Sequence, residues 1–209
     1  MSGRLRTLEA RIMGPPAARL APYVSANVIS VLSLLAAVAA GAAFWLRMPV
    51  TGAILILANG VLDMLDGSVA RARGTTGLFG SFLDKIIDKY ADLIFLLGML
   101  LGGLAHPVAA LVSMVGIPLA TYINAAVESL TKGEVKFQEK LSLRFLRIIL
   151  LVLGGLSRRT HLAVWLVAAT VVYAVVSRMI YNLVFLRRQT KRATVATSGF
   201  SKNDRNLST

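Results

Sequence analysis

The sequence predicts an all-α integral membrane protein of six transmembrane helices, preceded by an amphipathic helix at the membrane interface. Of its 209 residues, 56% are hydrophobic and 16% charged, whereas a soluble domain is nearer half apolar and about a quarter charged. The mean hydropathy is +0.69, which places the chain among membrane proteins before any motif is read. Apolar runs near the length that spans a hydrocarbon core, about 20 residues of helix, recur along the chain. The period-2 alternation of a barrel strand is missing, and helices satisfy their own backbone polar groups in lipid.

Taken in order, residues 1–26 form a basic juxtamembrane arm. Arg4, Arg6 and Arg11 alternate there with Leu5, Leu8, Ile12 and Met13, the pattern of a helix lying on a membrane rather than of a signal peptide. Pro15 and Pro16 are expected to end that helix, and a short basic stretch around Arg19 leads on. The spans are placed near 28–46, 50–72, 78–103, 107–129, 144–157 and 161–186, within a six-helix domain over 27–187. The third is interrupted by charge, and the fifth is short and leans on the residues before it. The tail, 188–209, is polar and basic, and is expected to be disordered from about residue 195.

The net charge of +13 would suggest nucleic acid in a soluble protein, but the interleaved aromatic and basic stripe of such a reader is absent. Most Lys and Arg residues flank apolar segments, where anionic lipid headgroups and the positive-inside rule place them. The arm, Arg71 with Arg73, Lys132, Lys136 and Lys140, and Arg187, Arg188, Lys191 and Arg192 fall on one side; Arg47, Arg158 and Arg159 fall on the other. The imbalance puts both termini in the cytoplasm, with Arg158 and Arg159 as the dissenting pair. Without cysteine, disulfides and thiolate metal sites are excluded. His106 and His161 lie far apart near the ends of apolar runs, which suits structural, partly exposed roles.

Five of the ten acidic residues fall between positions 63 and 92: Asp63, Asp66, Asp84, Asp88 and Asp92. A charged side chain at the centre of a membrane helix costs about 2.5–3.5 kcal/mol, so such residues are functional by default. Asp63 and Asp66 are three apart, Asp84 and Asp88 four apart, so each pair shares a helix face. Two adjacent antiparallel helices are expected to bring the four carboxylates into one pocket. Like charges gather in that way only around cations, and hard oxygen donors without His or Cys select Mg²⁺, Mn²⁺ or Ca²⁺. A two-metal site of this kind suits in-line displacement at phosphorus. Asp92 continues the Asp84 and Asp88 face and reads either as a partner of the ligands or as a structural acid. Gly67 and Gly80 serve either close helix packing or the close approach of a phosphate or ribose. Arg71, one turn beyond Gly67, is placed to meet an anionic substrate.

The run Asp63-Met64-Leu65-Asp66-Gly67-Ser68-Val69-Ala70-Arg71, followed at fixed spacing by Gly80, Asp84 and Asp88, resembles the signature of the CDP-alcohol phosphotransferases at all eight fixed positions. Asn27-Val28-Ile29-Ser30 is similar to the Pro-Asn-x-x-Thr start of that family's first helix, with Ala26 for Pro and Ser30 for Thr. The resemblance implies Asp63, Asp66 and Asp84 as metal ligands, with Asp88 completing a second metal site and acting as general base. It implies two ions, Mg²⁺ or Mn²⁺, and a donor site lined by Asp66, Gly67, Ala70, Arg71 and Gly80. It also implies a CDP-alcohol donor, release of CMP, a homodimer, and a site facing the cytoplasm.

Within the family, Gly80, Leu83, Asp84, Asp88, Lys89 and Asp92 look most like the inositol-phosphate-using branch, the phosphatidylinositol phosphate and archaetidylinositol phosphate synthases. Tyr122, Ala125 and Glu128 resemble a further segment of that branch, from which the chain departs by Asn124 and Ala126 in place of two basic residues. Arg178, Arg144 and Arg147, with Tyr122 and Asn124, are the candidate acceptor-binding residues. Inositol phosphate is the leading acceptor. Glycerol phosphate, serine or a free polyol, or a small donor such as CDP-inositol, are the alternatives within the reaction class. A cation transporter is the alternative outside it, without the internal repeat such proteins tend to carry.

Overall fold

The computed structural model describes residues 3–131 and 143–205, with side chains described for Arg11 and over 13–131 and 143–188. Lys132, Lys136 and Lys140, and the side chains of the first ten residues and of the tail, lie outside that description. Seven helices follow one another: α1 (Gly3–Leu20), α2 (Ala26–Trp45), α3 (Pro49–Arg73), α4 (Leu78–Leu101), α5 (Pro107–Leu130), α6 (Leu143–Leu156) and α7 (Thr160–Arg205). The described residues form no strand.

Local chemistry sets the boundaries. Ser25 caps α2 through the Val28 amide, and His106 caps α5, its Nδ1 accepting from the Val108 amide at 3.3 Å. His106 also stacks on Trp165 at 5.4 Å, which agrees with a structural role. Pro49 and Pro107 occupy first turns, where the missing N–H has no partner to lose. Gly74, at φ 65°, closes α3 in the left-handed conformation.

Among the described residues, four helical stretches are long and apolar enough to cross a membrane: Ala26–Trp45, Pro49–Ala72, Pro107–Leu130 and Thr160–Arg188. The other two expected spans do not meet that description, for different reasons. At 24 residues α4 is about 36 Å long, but it carries Asp84, Lys85, Asp88, Lys89 and Asp92. α6 is described over 14 residues, about 21 Å, beginning at Leu143, where the described residues resume.

Two local expectations are corrected. Pro15 and Pro16 lie inside α1, which runs on to Leu20. The later part of that helix is anchored: Ala17 and Ala21 are buried with Ile29 and Val69, and the Arg73 side chain donates to the carbonyls of Ala21 and Pro22. Tertiary contact there outweighs a helix-breaking propensity of about 3 kcal/mol per proline. In the tail, α7 remains helical to Arg205; no proline follows Pro118 to stop it.

Small residues let the helices approach. A Cβ on Gly98 would collide with the Gly41 carbonyl, and one on Gly41 would lie 2.6 Å from Ile94 Cγ2, so α2 and α4 cross backbone to backbone. Gly116 receives Val171 between α5 and α7, and Gly155 receives Ala53 between α6 and α3. Lipid tails give helices no hydrophobic drive toward one another, so close packing through small residues and interhelical hydrogen bonds hold the bundle. Asn59, buried on α3, supplies such bonds, its Nδ2 donating to Ser33 O at 2.9 Å and Ser33 Oγ at 2.8 Å on α2. The resulting frame has α2 packed against both α3 and α4, with α6 lying against α3 and α7.

Candidate active site

Asp63 and Asp66 sit in the later turns of α3, and a four-residue link, 74–77, returns the chain into α4, which carries Asp84 and Asp88. One carboxylate oxygen each from Asp63, Asp66 and Asp84 lie within 4.8 Å of one another. Asp66 is buried, Asp63 half-buried and Asp84 exposed. Ser30 of α2 donates to Asp66 Oδ2 at 2.6 Å, while its hydroxyl also reaches the Ala26 carbonyl.

Asp88, one turn further along α4, meets Arg144 at the start of α6, with Arg144 Nη2 2.6 Å from Asp88 Oδ1. The same guanidinium donates through Nη1 to Asp63 Oδ2 at 3.3 Å. The acids therefore converge, but not as a packed helix pair. Among the described residues α3 and α4 share no extended interface, because α2 lies against both. The carboxylates of the two helices still come together, and Arg144 reaches both helices.

Three oxygens at that separation form a hard donor set, and neither a thiolate nor a clustered imidazole is available to soften it. Carboxylates this close repel unless a cation lies among them. The geometry fits a hard divalent cation held by oxygen.

Glycines 67 and 80 differ from those that pack the bundle. A Cβ on Gly80 would meet nothing within 4 Å, and one on Gly67 would meet only the Arg71 guanidinium at 3.5 Å. Among the described residues neither serves helix packing. Ala70 is half-buried beside them, and Arg71 is exposed, with its Nη2 donating to Ser68 Oγ at 2.9 Å.

The candidate acceptor residues divide into two groups. Arg144 and Arg147 reach the acids from α6. Arg147 is not an interfacial arginine extended toward water: it is buried, and its Nη2 lies 3.4 Å from Asp92 Oδ2. Arg178 and Asn124 belong to the packing of α5 and α7, and Tyr122 lies beside them in sequence on α5. Arg178 Nη1 donates to the Ala120 carbonyl at 2.5 Å, the buried Asn182 donates to Asn124 Oδ1 at 3.3 Å, and Tyr122 is exposed.

Sequence reasoning passes over two parts of this site. Ser30 stands out only through its place in the helix-start segment, with no sign that it meets Asp66. The Asp92–Arg147 pair joins residues 55 apart, and a single sequence carries no mark of such a pairing.

A profile of the CDP-alcohol phosphatidyltransferase family matches residues 23–176. The chain belongs to this family. It is 31% identical over 187 residues to the archaetidylinositol phosphate synthase of Methanothermobacter thermautotrophicus, a match covering 87% of this chain and 93% of that one. With the synthase of the same name from Aeropyrum pernix it shares 33% identity over 194 residues, covering 88% and 97%. Its fold is similar to that of the phosphatidylinositol phosphate synthase of Mycobacterium tuberculosis solved with CDP-DAG bound, at TM-score 0.71 and 26% identity over 83% of this chain and 94% of that one. The same mycobacterial enzyme with manganese and citrate aligns at TM-score 0.65 and 25% identity, covering 82% and 88%. The chain is thus an integral membrane CDP-alcohol phosphotransferase that depends on a divalent metal, and its oxygen cluster is the feature that suits one.

Proposed function

We propose that this CDP-alcohol phosphotransferase moves the lipid-bearing phosphate of a CDP-linked lipid, of the CDP-diacylglycerol or CDP-archaeol type, to a hydroxyl of inositol phosphate, with release of CMP. The observation that carries the reading is the convergence of Asp63, Asp66 and Asp84, with Asp88 beside them, in a chain similar along most of its length to archaetidylinositol phosphate synthases.

In this reading Asp63, Asp66 and Asp84 hold Mg²⁺ or Mn²⁺, and Asp88 completes the place for a second ion. When bound, the ions neutralise phosphate oxygens and the charge that develops on departing CMP. The chain's own residues do the rest. Gly80, open to space, and Gly67, met only by the Arg71 side chain, let the cytidine diphosphate approach the backbone, with Ala70 and Arg71 beside it. Asp88 takes the proton of the acceptor hydroxyl. The acceptor oxygen bonds to the phosphorus that carries the lipid, and the bond from that phosphorus to the bridging oxygen breaks. CMP leaves with that oxygen. Arg144 and Arg147, with Arg178, Tyr122 and Asn124, are assigned to the acceptor side, where arginines suit a phosphate.

The reading extends to the whole chain: a basic arm over 1–26, a catalytic domain over 27–187 and a polar tail over 188–209. It has six spans, a reading supported by Asp88 and Asp92 of α4 meeting Arg144 and Arg147 of α6 instead of lipid. The termini and the site face the cytoplasm, and the enzyme is a homodimer. The test is CMP release by the purified protein with Mg²⁺ and each CDP-lipid, across inositol 1-phosphate, glycerol 3-phosphate, serine and free inositol. Release that depends on inositol 1-phosphate is expected; release that depends on another acceptor, or on none, contradicts the assignment.

A further inference from the structure

Asp92 is among the most buried charged groups described, 4% exposed, and lies two turns beyond Asp84 on α4. It uses both oxygens toward α6. Oδ2 lies 3.4 Å from Arg147 Nη2, and Oδ1 lies 3.9 Å from Arg144 Nε. The opposite edge of the Arg144 guanidinium then faces Asp88 and Asp63, at 2.6 and 3.3 Å. Arg147 is itself buried, 8% exposed.

Removing one partner of a buried ion pair is strongly destabilising, because it leaves the other charge buried and uncompensated. The packing neighbours of α6 are α3 and α7. The arginine contacts with Asp88 and Asp92 are thus what ties the start of α6 to α4. A guanidinium is a rigid planar fork, so a carboxylate on its Nε side, here at ion-pair rather than hydrogen-bond distance, biases where its two terminal nitrogens point.

We propose that Asp92 is a positioning residue: hydrogen-bonded to Arg147 and facing the Nε side of Arg144 at ion-pair distance, it draws the Arg144 guanidinium toward the side of Asp88 from which the acceptor approaches. The inference rests on the reading of Arg144 as an acceptor-side residue, and it assigns Asp92 an effect on acceptor binding that a ligand of the metal or of the donor would not have. Asp92 touches no substrate and acts through Arg144.

The test uses the full-length protein in lipid nanodiscs, with Asp92→Asn, Asp92→Glu, Arg144→Gln and the double variant Asp92→Asn with Arg144→Gln. Asp92→Asn should raise the KM for inositol 1-phosphate about tenfold, the scale of an outer-shell orienting contact. The KM for the CDP-lipid and the affinity for Mn²⁺, read by electron paramagnetic resonance, should stay within about twofold, and Asp92→Glu should recover most of the loss. The double variant should bind the acceptor no worse than Arg144→Gln alone, because residues acting through one another are not additive. Additive losses, or a parallel rise in donor KM with weakened Mn²⁺ binding, overturn the proposal and make Asp92 a residue of the fold or of the metal site. Should Asp92→Asn fail to fold, Asp92→Ser read beside Arg147→Lys carries the same comparison; an unchanged acceptor KM in both overturns it. A wild-type protein that uses another acceptor refutes the inositol phosphate reading and leaves this test standing with that acceptor. A wild type silent with every acceptor refutes both.

Discussion

Ser30 shows how one hydroxyl joins helix packing to chemistry. It sits on α2, the helix packed against both acid-bearing helices, and its bond to Asp66 at 2.6 Å fixes one carboxylate of the cluster. Ser30→Ala removes a bond to a charged, buried acceptor, worth about 1.5–3 kcal/mol. The expected outcome is at least about a tenfold loss of Mn²⁺ affinity by titration, with the fold retained. Asp88 supplies a second test at this scale. As the general base, Asp88→Asn should lower kcat at least about 100-fold while CDP-lipid still binds; normal turnover would remove it from that role. The acids themselves are legible in the sequence because a carboxylate inside an apolar helix is too costly to keep without a role. Their partners Ser30, Arg144 and Arg147 come from other helices, and sequence spacing constrains pairs within one helix but says little about pairs between helices.

Helix by helix, the glycines separate into two kinds that the sequence does not distinguish. Gly98 faces the Gly41 carbonyl, and Gly80 faces open space. Gly98→Val should therefore cost about 3 kcal/mol, the upper range of overpacking, seen as a loss of folded protein on heating in detergent. Gly80→Val should leave thermal stability almost unchanged and raise the KM for CDP-lipid instead. Equal losses of stability in the two variants would refute the distinction. The first five apolar runs agree to within a few residues with the helices α2–α6, and the sixth with the start of α7, which runs on to Arg205, because hydrophobic length is a property of the chain alone. The run of α1 through Pro15 and Pro16 is not legible in that way. Its anchor, Ala17 and Ala21 against Val69 with Arg73 holding the Ala21 carbonyl, depends on a helix some 50 residues away.

At the scale of the molecule, the short links fall at two ends. Links 46–48, 102–106 and 157–159 share one end, where Gly102 lies against the Phe44 carbonyl and Gly155 against that of Pro49. The 74–77 link beside the acids lies at the other, tied through Arg73 to the end of α1. The chain contains no cysteine, so single reporters can be read without background. Thr75→Cys should resist a membrane-impermeant maleimide in intact cells and react after lysis, and Arg159→Cys should react in intact cells. The reverse pattern would invert the proposed orientation. The carboxylates converge as expected, while α3 and α4 share no extended interface among the described residues and α2 packs against both, which adjacency in sequence does not show.

The sharpest test of the proposed reaction is transfer of labelled inositol 1-phosphate into lipid by the purified enzyme, with Mg²⁺ and CDP-diacylglycerol or CDP-archaeol. Label should enter the organic phase in step with CMP release, and neither product should form when Asp63 or Asp84 is replaced by asparagine. CMP formed while the label stays in the aqueous phase, or label transferred equally well by the asparagine variants, would contradict the reaction and its metal site.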